Sequence, residues 1–147
     1  MSSLKPKLQQ IESFIVKGIS TRTKNSDEFN EATSKLPKLW QQFYSEGFDT
    51  NQEIYGVYSN YESDTNGLYT VTVGTIADNK EVNSVVIQAG NYLVFEATGP
   101  MPLTVIETWQ YIWNYFATDS VYQRHFISDF EAYTGPNNVA IYIGVKQ

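Results

Sequence analysis

The sequence predicts an α+β fold in which one β-α-β-β unit occurs twice, giving a mainly antiparallel sheet with a cleft on its pseudo-twofold axis. Three observations predict it. Strand-like and helix-like segments follow the same order in both halves of the chain. Trp40-Gln41 recurs as Trp109-Gln110, and Tyr61-Glu62 as Phe130-Glu131, each 69 residues further on. Val71-Thr72-Val73-Gly74 then recurs as Ile141-Tyr142-Ile143-Gly144 at an offset of 70. A sheet face has to be covered by helices, and the place where two such halves meet is the natural site of a ligand cleft.

Each element follows from its own residues. Positions 8–21 mix apolar and polar side chains and read as a first strand, broken near Gly18. Asn25 and Glu28 have the spacing of a capping box. A helix is expected from Phe29 through Leu36, Leu39, Trp40 and Phe43, stopping at Gly47. Pro37 either kinks that helix or sits in the first turn of a second piece. Residues 54–62 form a Tyr-rich strand, and the turn SDTNG (63–67) feeds the strand 68–75, closing a hairpin.

After ADNKEVN (77–83) the order restarts. Residues 84–98 are strand-like, with a turn or bulge at Ala89-Gly90-Asn91. Gly99-Pro100-Met101-Pro102 opens a helix running to about Phe116, whose Val105, Ile106, Trp109, Ile112, Trp113 and Phe116 form one apolar stripe. A strand at 124–133, the turn TGPNN and a strand at 139–145 complete the chain. The whole reads as one domain of 147 residues, with repeat one at about 5–77 and repeat two at about 82–147.

Composition removes several function classes. With 41% apolar residues the chain can bury a core unaided by disulfides or metal. Cysteine is absent, and His125 is the one histidine, read as structural, so neither a disulfide scaffold nor a Cys or His metal cluster is expected. A net charge of −6 without a basic run argues against direct nucleic-acid binding and draws cations instead. The start MSSLKPKLQQ is polar and no apolar run reaches membrane-spanning length, so a cytoplasmic protein without membrane association is expected. Neither a Ser-His-acid pattern nor a phosphate-binding glycine loop is present, which leaves little support for catalysis and none for a cofactor. The surplus is in rings: eleven Tyr, eight Phe and three Trp. Such rings are favoured where flat or cationic ligands are held.

Against that background the stretch FISDFEAYTG (126–135) is unusual, because Asp129 and Glu131 sit in an apolar, aromatic strand. An unpaired buried carboxylate is costly. Either the strand is an edge and its acids face water, or a carboxylate there awaits a positively charged partner from outside the chain.

The run IYGVYSNYESDTNGLYTVTVG (54–74), preceded by LPKLWQQF and followed in order by AGNYLVFEATGPM, TWQYIW, DFEAY and VAIYIGV, resembles the GyrI-like effector-binding domains, and most closely the stand-alone bacterial members found on integron gene cassettes. The resemblance covers nearly the whole chain. It implies an SHS2-type duplicated fold that binds amphipathic, often cationic, drug-like molecules between its repeats. In AraC- and MerR-type regulators such domains follow a DNA-binding helix-turn-helix. Starting almost at its first strand, this sequence is expected to lack one and to act as a multidrug-recognising sensor without its own DNA-binding domain. The family's functional glutamate falls on Glu131, with Tyr133 two residues on. Some relatives hydrolyse strained electrophiles and others contact a partner protein, so hydrolysis of reactive small molecules and protein interaction, or self-association, are the alternatives.

Glu131 and Tyr133 share strand parity and face one side. Trp109, Trp113 and Trp40 belong to helix stripes, whose members are more often core than cleft. Parity alone leaves open whether Tyr58, Tyr61 and Tyr142 reach the cleft; Tyr58 and Tyr142 join Glu131, Tyr133, Trp109, Trp113 and Trp40 as the seven ligand candidates. Glu62 reads as a surface acid flanking a turn, although it is the repeat counterpart of Glu131. Asp129 is expected nearer the rim.

Overall fold

The computed structural model describes residues 6–28, 30, 32–46, 53–63, 67–79, 84–118 and 122–146. In chain order its elements are β1 (Lys7–Ile11), β2 (Phe14–Thr23), α1 (Asn25–Glu28), α2 (Leu36–Ser45), β3 (Ile54–Ser59), β4 (Tyr69–Ala77), β5 (Ser84–Ile87), β6 (Gly90–Thr98), α3 (Leu103–Thr118), β7 (Gln123–Gly135) and β8 (Asn138–Lys146). The expected helix boundaries at Phe29 and Gly47, and positions 64–66 and 80–83 of the two polar connections, lie outside the described residues.

The strands make one sheet in the order β1-β6-β8-β7-β3-β4-β2-β5, with antiparallel ladders throughout. Its six inner strands read first-third-second from each outer side, so the two β-α-β-β units meet at the β7–β3 ladder. The two outermost strands cross over. β1, from the first half, borders β6 of the second, and β5 borders β2 of the first.

Those crossings force curvature. Ile11 and Phe14 are three residue steps apart, a reach of at most about 11 Å. Across a flat sheet, six strand spacings would separate β1 from β2 by about 29 Å. The sheet therefore curls until its edges approach. Its inner concave face packs Val16, Tyr55, Val57, Ile87, Tyr92, Phe130 and Ala132 as one core.

Three details differ from the sequence reading, and the alternative left open at Pro37 is decided. Gly18 does not end a strand: it lies inside β2 opposite Gly74, where a Cβ would stand 1.8 Å from the Val73 carbonyl oxygen. The break falls at Glu12-Ser13 instead. Residues 84–98 are not one bulged strand but two, β5 and β6, paired at opposite edges of the sheet. The first helix is split, with Pro37 in the opening turn of α2, where its missing N–H costs nothing. Glu28 does not cap α1; it reaches forward to the start of α2.

The helices lie over the two halves and leave the middle open. α2 buries Leu39 and Phe43 against Ile54, Tyr69, Val71 and Val73. α3 packs over Leu93, Phe95, Ile141 and Ile143. Its most buried positions are Thr104, Thr108 and Ile112, one helical face, whereas Ile106 of the expected stripe is half exposed. Between the helices the central strands β3 and β7 form a floor.

Candidate functional site

Above that floor lies a cavity of about 500 Å³. Its walls are Trp40 of α2, Trp109 and Trp113 of α3, and Asn25 and Glu28 of α1. Its floor carries Tyr58 of β3, Tyr69 of β4 and Glu131 and Tyr133 of β7. Tyr61 and Arg124 line it as well. Six of the seven ligand candidates named from the sequence are thus brought together.

The seventh, Tyr142, is not. It is paired across the ladder with Phe130, which alternates with Glu131, so it projects from the opposite face. There it stacks on Phe130, with ring centroids 4.4 Å apart and planes 9° from parallel. Tyr61, which parity left open, does line the cavity.

Glu131 is 4% exposed. Its carboxylate accepts hydrogen bonds from the Tyr58 hydroxyl (2.8 Å) and the Trp109 indole Nε1–H (2.7 Å) at Oε2, and from the Tyr133 hydroxyl (2.7 Å) at Oε1. Among the described residues no lysine or arginine pairs with it. Burial raises its pKa, and the three donors oppose that shift without cancelling it. The same burial, with the adjacent Glu131 charge, holds the Tyr58 and Tyr133 phenols well above their ordinary value, so both remain donors.

A glycine makes room for this arrangement. Gly56 sits across the ladder from Glu131. A Cβ there would lie 3.0 Å from Glu131 Oε1 and 3.3 Å from Trp40 Cζ2. The strand-interior glycine of IYGVY carried that signal, since such a glycine often marks close approach of another group. Gly56→Ala should push the carboxylate and the Trp40 ring apart and lower stability by about 1–3 kcal/mol. A urea titration checks this, and an unchanged midpoint would show that the site has slack.

Asp129 departs most from expectation. It is wholly buried rather than at the rim. One oxygen accepts from the Gly144 N–H at 2.8 Å. The other accepts from the Tyr61 hydroxyl and from Arg124 Nη2, the latter at 2.7 Å. A cationic partner for one acid of the strand is therefore supplied from within the chain. Burial works against the Arg124 charge, yet Asp129 and Tyr61 together hold its pKa above the ordinary value.

A bulge builds this pair. Arg124 faces Val145 and Asp129 faces Ile143, so β7 spends five steps where β8 spends two. Phe126 takes a left-handed φ of 56° inside the bulge, an uncommon conformation for a bulky side chain. Arg124 folds back over the Phe126 ring, 4.5 Å from its centroid. In a regular strand the side chains of Arg124 and Asp129 would point to opposite faces.

The remaining acids and the histidine fall outside this network. Glu62 is exposed and accepts the Leu68 N–H beside its turn. His125 is exposed on β7 rather than packed into the structure. Glu28 lines the cavity wall and was not singled out as a site residue from the sequence. Among the described residues no group of His, Asp and Glu could hold a metal ion, and no helix is long and apolar enough to cross a membrane.

Comparison with known proteins places the chain. Residues 7–145 match the model of the family Cass2, integron-associated effector binding protein. YobU of Bacillus subtilis, named as a candidate transcriptional regulator, is 33% identical over 88% of this chain and 91% of its own. The integron cassette protein Cass2 of Vibrio cholerae is 37% identical, covers 97% of this chain and 96% of its own, and superposes with a TM-score of 0.83. SAV2435, solved with tetraphenylphosphonium bound, shares the fold at a TM-score of 0.74 and 22% identity, covering 96% of this chain and 93% of its own. The chain belongs to the integron-associated effector-binding proteins, and its α+β sheet with two flanking helices is the fold of that family.

Proposed function

We propose that the cavity binds amphipathic organic cations and that Glu131 supplies their charge complement. The observation that carries this reading is a buried carboxylate without a cationic partner among the described residues, on the floor of an aromatic cavity of about 500 Å³. Fixed hydroxyl and indole donors orient the carboxylate and replace its water, but they leave its negative charge uncompensated. A cation entering the cavity meets that charge in a low-dielectric setting. The faces of Trp40, Trp109 and Trp113 add roughly 0.5–2 kcal/mol each where the geometry suits. A neutral molecule of the same shape gains the apolar contact alone. Such a site selects charge and tolerates varied shape. That SAV2435 holds tetraphenylphosphonium on the same fold supports the reading.

Two near-isosteric ions of opposite sign provide the test. Tetraphenylphosphonium should raise the unfolding temperature in a concentration-dependent way, equivalent to about 2.7 kcal/mol at a hundredfold excess over Kd. Tetraphenylborate should not. Equal shifts from both ions, or none from either, would reject the proposal.

A further inference from the structure

We infer that the cavity is built for two positive charges rather than one, with Glu28 as its second carboxylate; the inference rests on the cation-binding reading of Glu131. Glu28 lies on the wall formed by α1 and lines the same cavity as Tyr69 and Glu131. The Tyr69 hydroxyl donates to Asn25 Oδ1 at 2.6 Å, and its ring lies 5.5 Å from that of Tyr58, whose hydroxyl holds Glu131. The two acids and this tyrosine pair therefore line one cavity. Burial raises the Tyr69 phenol, and Glu28 and then Glu131 add to that shift while Arg124 opposes it.

The hydrogen bonding of Glu28 parallels that of Glu131. It accepts from the Thr23 hydroxyl (2.6 Å) and the Lys35 backbone N–H (2.9 Å) at Oε2, and from the Leu36 N–H (3.1 Å) at Oε1. All three donors are neutral. The Lys35 ammonium points elsewhere, to the Arg22 carbonyl oxygen. Asp129, by contrast, is neutralised by Arg124. Three carboxylates and one guanidinium leave a formal charge of −2 around the cavity. One monocation removes half of it. An elongated dication, with one head group at each acid and its apolar spacer along the tyrosines, removes all of it.

The test compares α,ω-bis(trimethylammonium)alkanes of increasing length with singly charged alkyltrimethylammonium ions of the same length, by calorimetry at constant ionic strength. At the best spacer length the dication should bind about fivefold tighter than its monocation, the worth of one further partly exposed charge pair. Glu28→Gln should abolish that advantage, weakening the dication several-fold more than its monocation, while tetraphenylphosphonium still binds. Because Glu28 also holds the start of α2, Thr23→Val serves as the second variant: it deletes one of the same hydrogen bonds, keeps the charge, and should retain the advantage. No advantage in the parent protein at any length would overturn the inference, as would an equal loss for all ligands in Glu28→Gln. Failure of every singly charged ion to bind the parent would instead overturn the reading of Glu131.

Discussion

Tetraphenylphosphonium should bind the Glu131→Gln variant more weakly than the parent by on the order of 1–3 kcal/mol. The substitution isolates charge because the amide fits the existing partners. Its oxygen can take the place of Oε2, accepting from Tyr58 and Trp109, while its nitrogen donates to the Tyr133 hydroxyl oxygen. The stability change should run the other way. Burial raises the folded-state pKa of Glu131 above the unfolded value of about 4.3. A raised carboxyl pKa contributes stability that is fully present below the unfolded pKa and lost as pH rises through the folded one. Parent and variant should therefore unfold alike near pH 4, roughly the unfolded value. Above the folded pKa the variant should be the more stable. Cation binding favours the ionised acid, so parent affinity should fall as pH drops through the ligand-free pKa, and the variant should show a flat profile. Calorimetry at two pH values decides it: equal affinities for parent and variant would make Glu131 a structural acid only.

Arg124→Met should be the most destabilising of these changes, by about 3–5 kcal/mol, because it leaves a buried carboxylate without its counter-charge. Asp129 is wholly inaccessible and would keep only the Tyr61 hydroxyl and the Gly144 N–H. Adding Asp129→Asn should restore most of the loss, since an amide needs no counter-ion and its oxygen can still accept the Gly144 N–H. A double-mutant cycle from urea unfolding at neutral pH measures the coupling. Additive losses in the double variant would mean that Arg124 acts through its packing on Phe126 rather than through its charge.

How much of this was legible in the sequence depends on the range over which each signal acts. Trp40 and Trp109 announced the two flanking helices and the repeat, because helical spacing and internal offset are local patterns. Glu131 with Tyr133 was legible from strand parity together with the family motif. Tyr142 misled because its own strand gives a parity but not the face of its ladder partner. Asp129 misled for a different reason. Its partner Arg124 lies five residues away, at a spacing that a regular strand would put on the opposite face, and only the bulge at Phe126 reverses this. Glu28 carried a local signal, the capping spacing, whose target turned out to be the next helix along. The break between β5 and β6 looked like a bulge because pairing with opposite sheet edges leaves no mark in either segment.

The crossed outer strands make the two halves a clasp. Each half lends the other a border strand: among the described residues Lys7–Ile11 finds its hydrogen-bonding neighbour in β6, and Ser84–Ile87 finds its own in β2. The halves of the cleft are therefore not two jaws on a free hinge. Spreading Trp40 from Trp109 bends the curled sheet and strains the clasp on its far side, so the resting width of the cleft is held from behind. A guest that fits that width leaves the clasp at rest, while a bulkier one works against the stiffness of the whole sheet. On the proposed reading, the most distant strands then set which guest sizes fit, and the floor sets which charge is preferred.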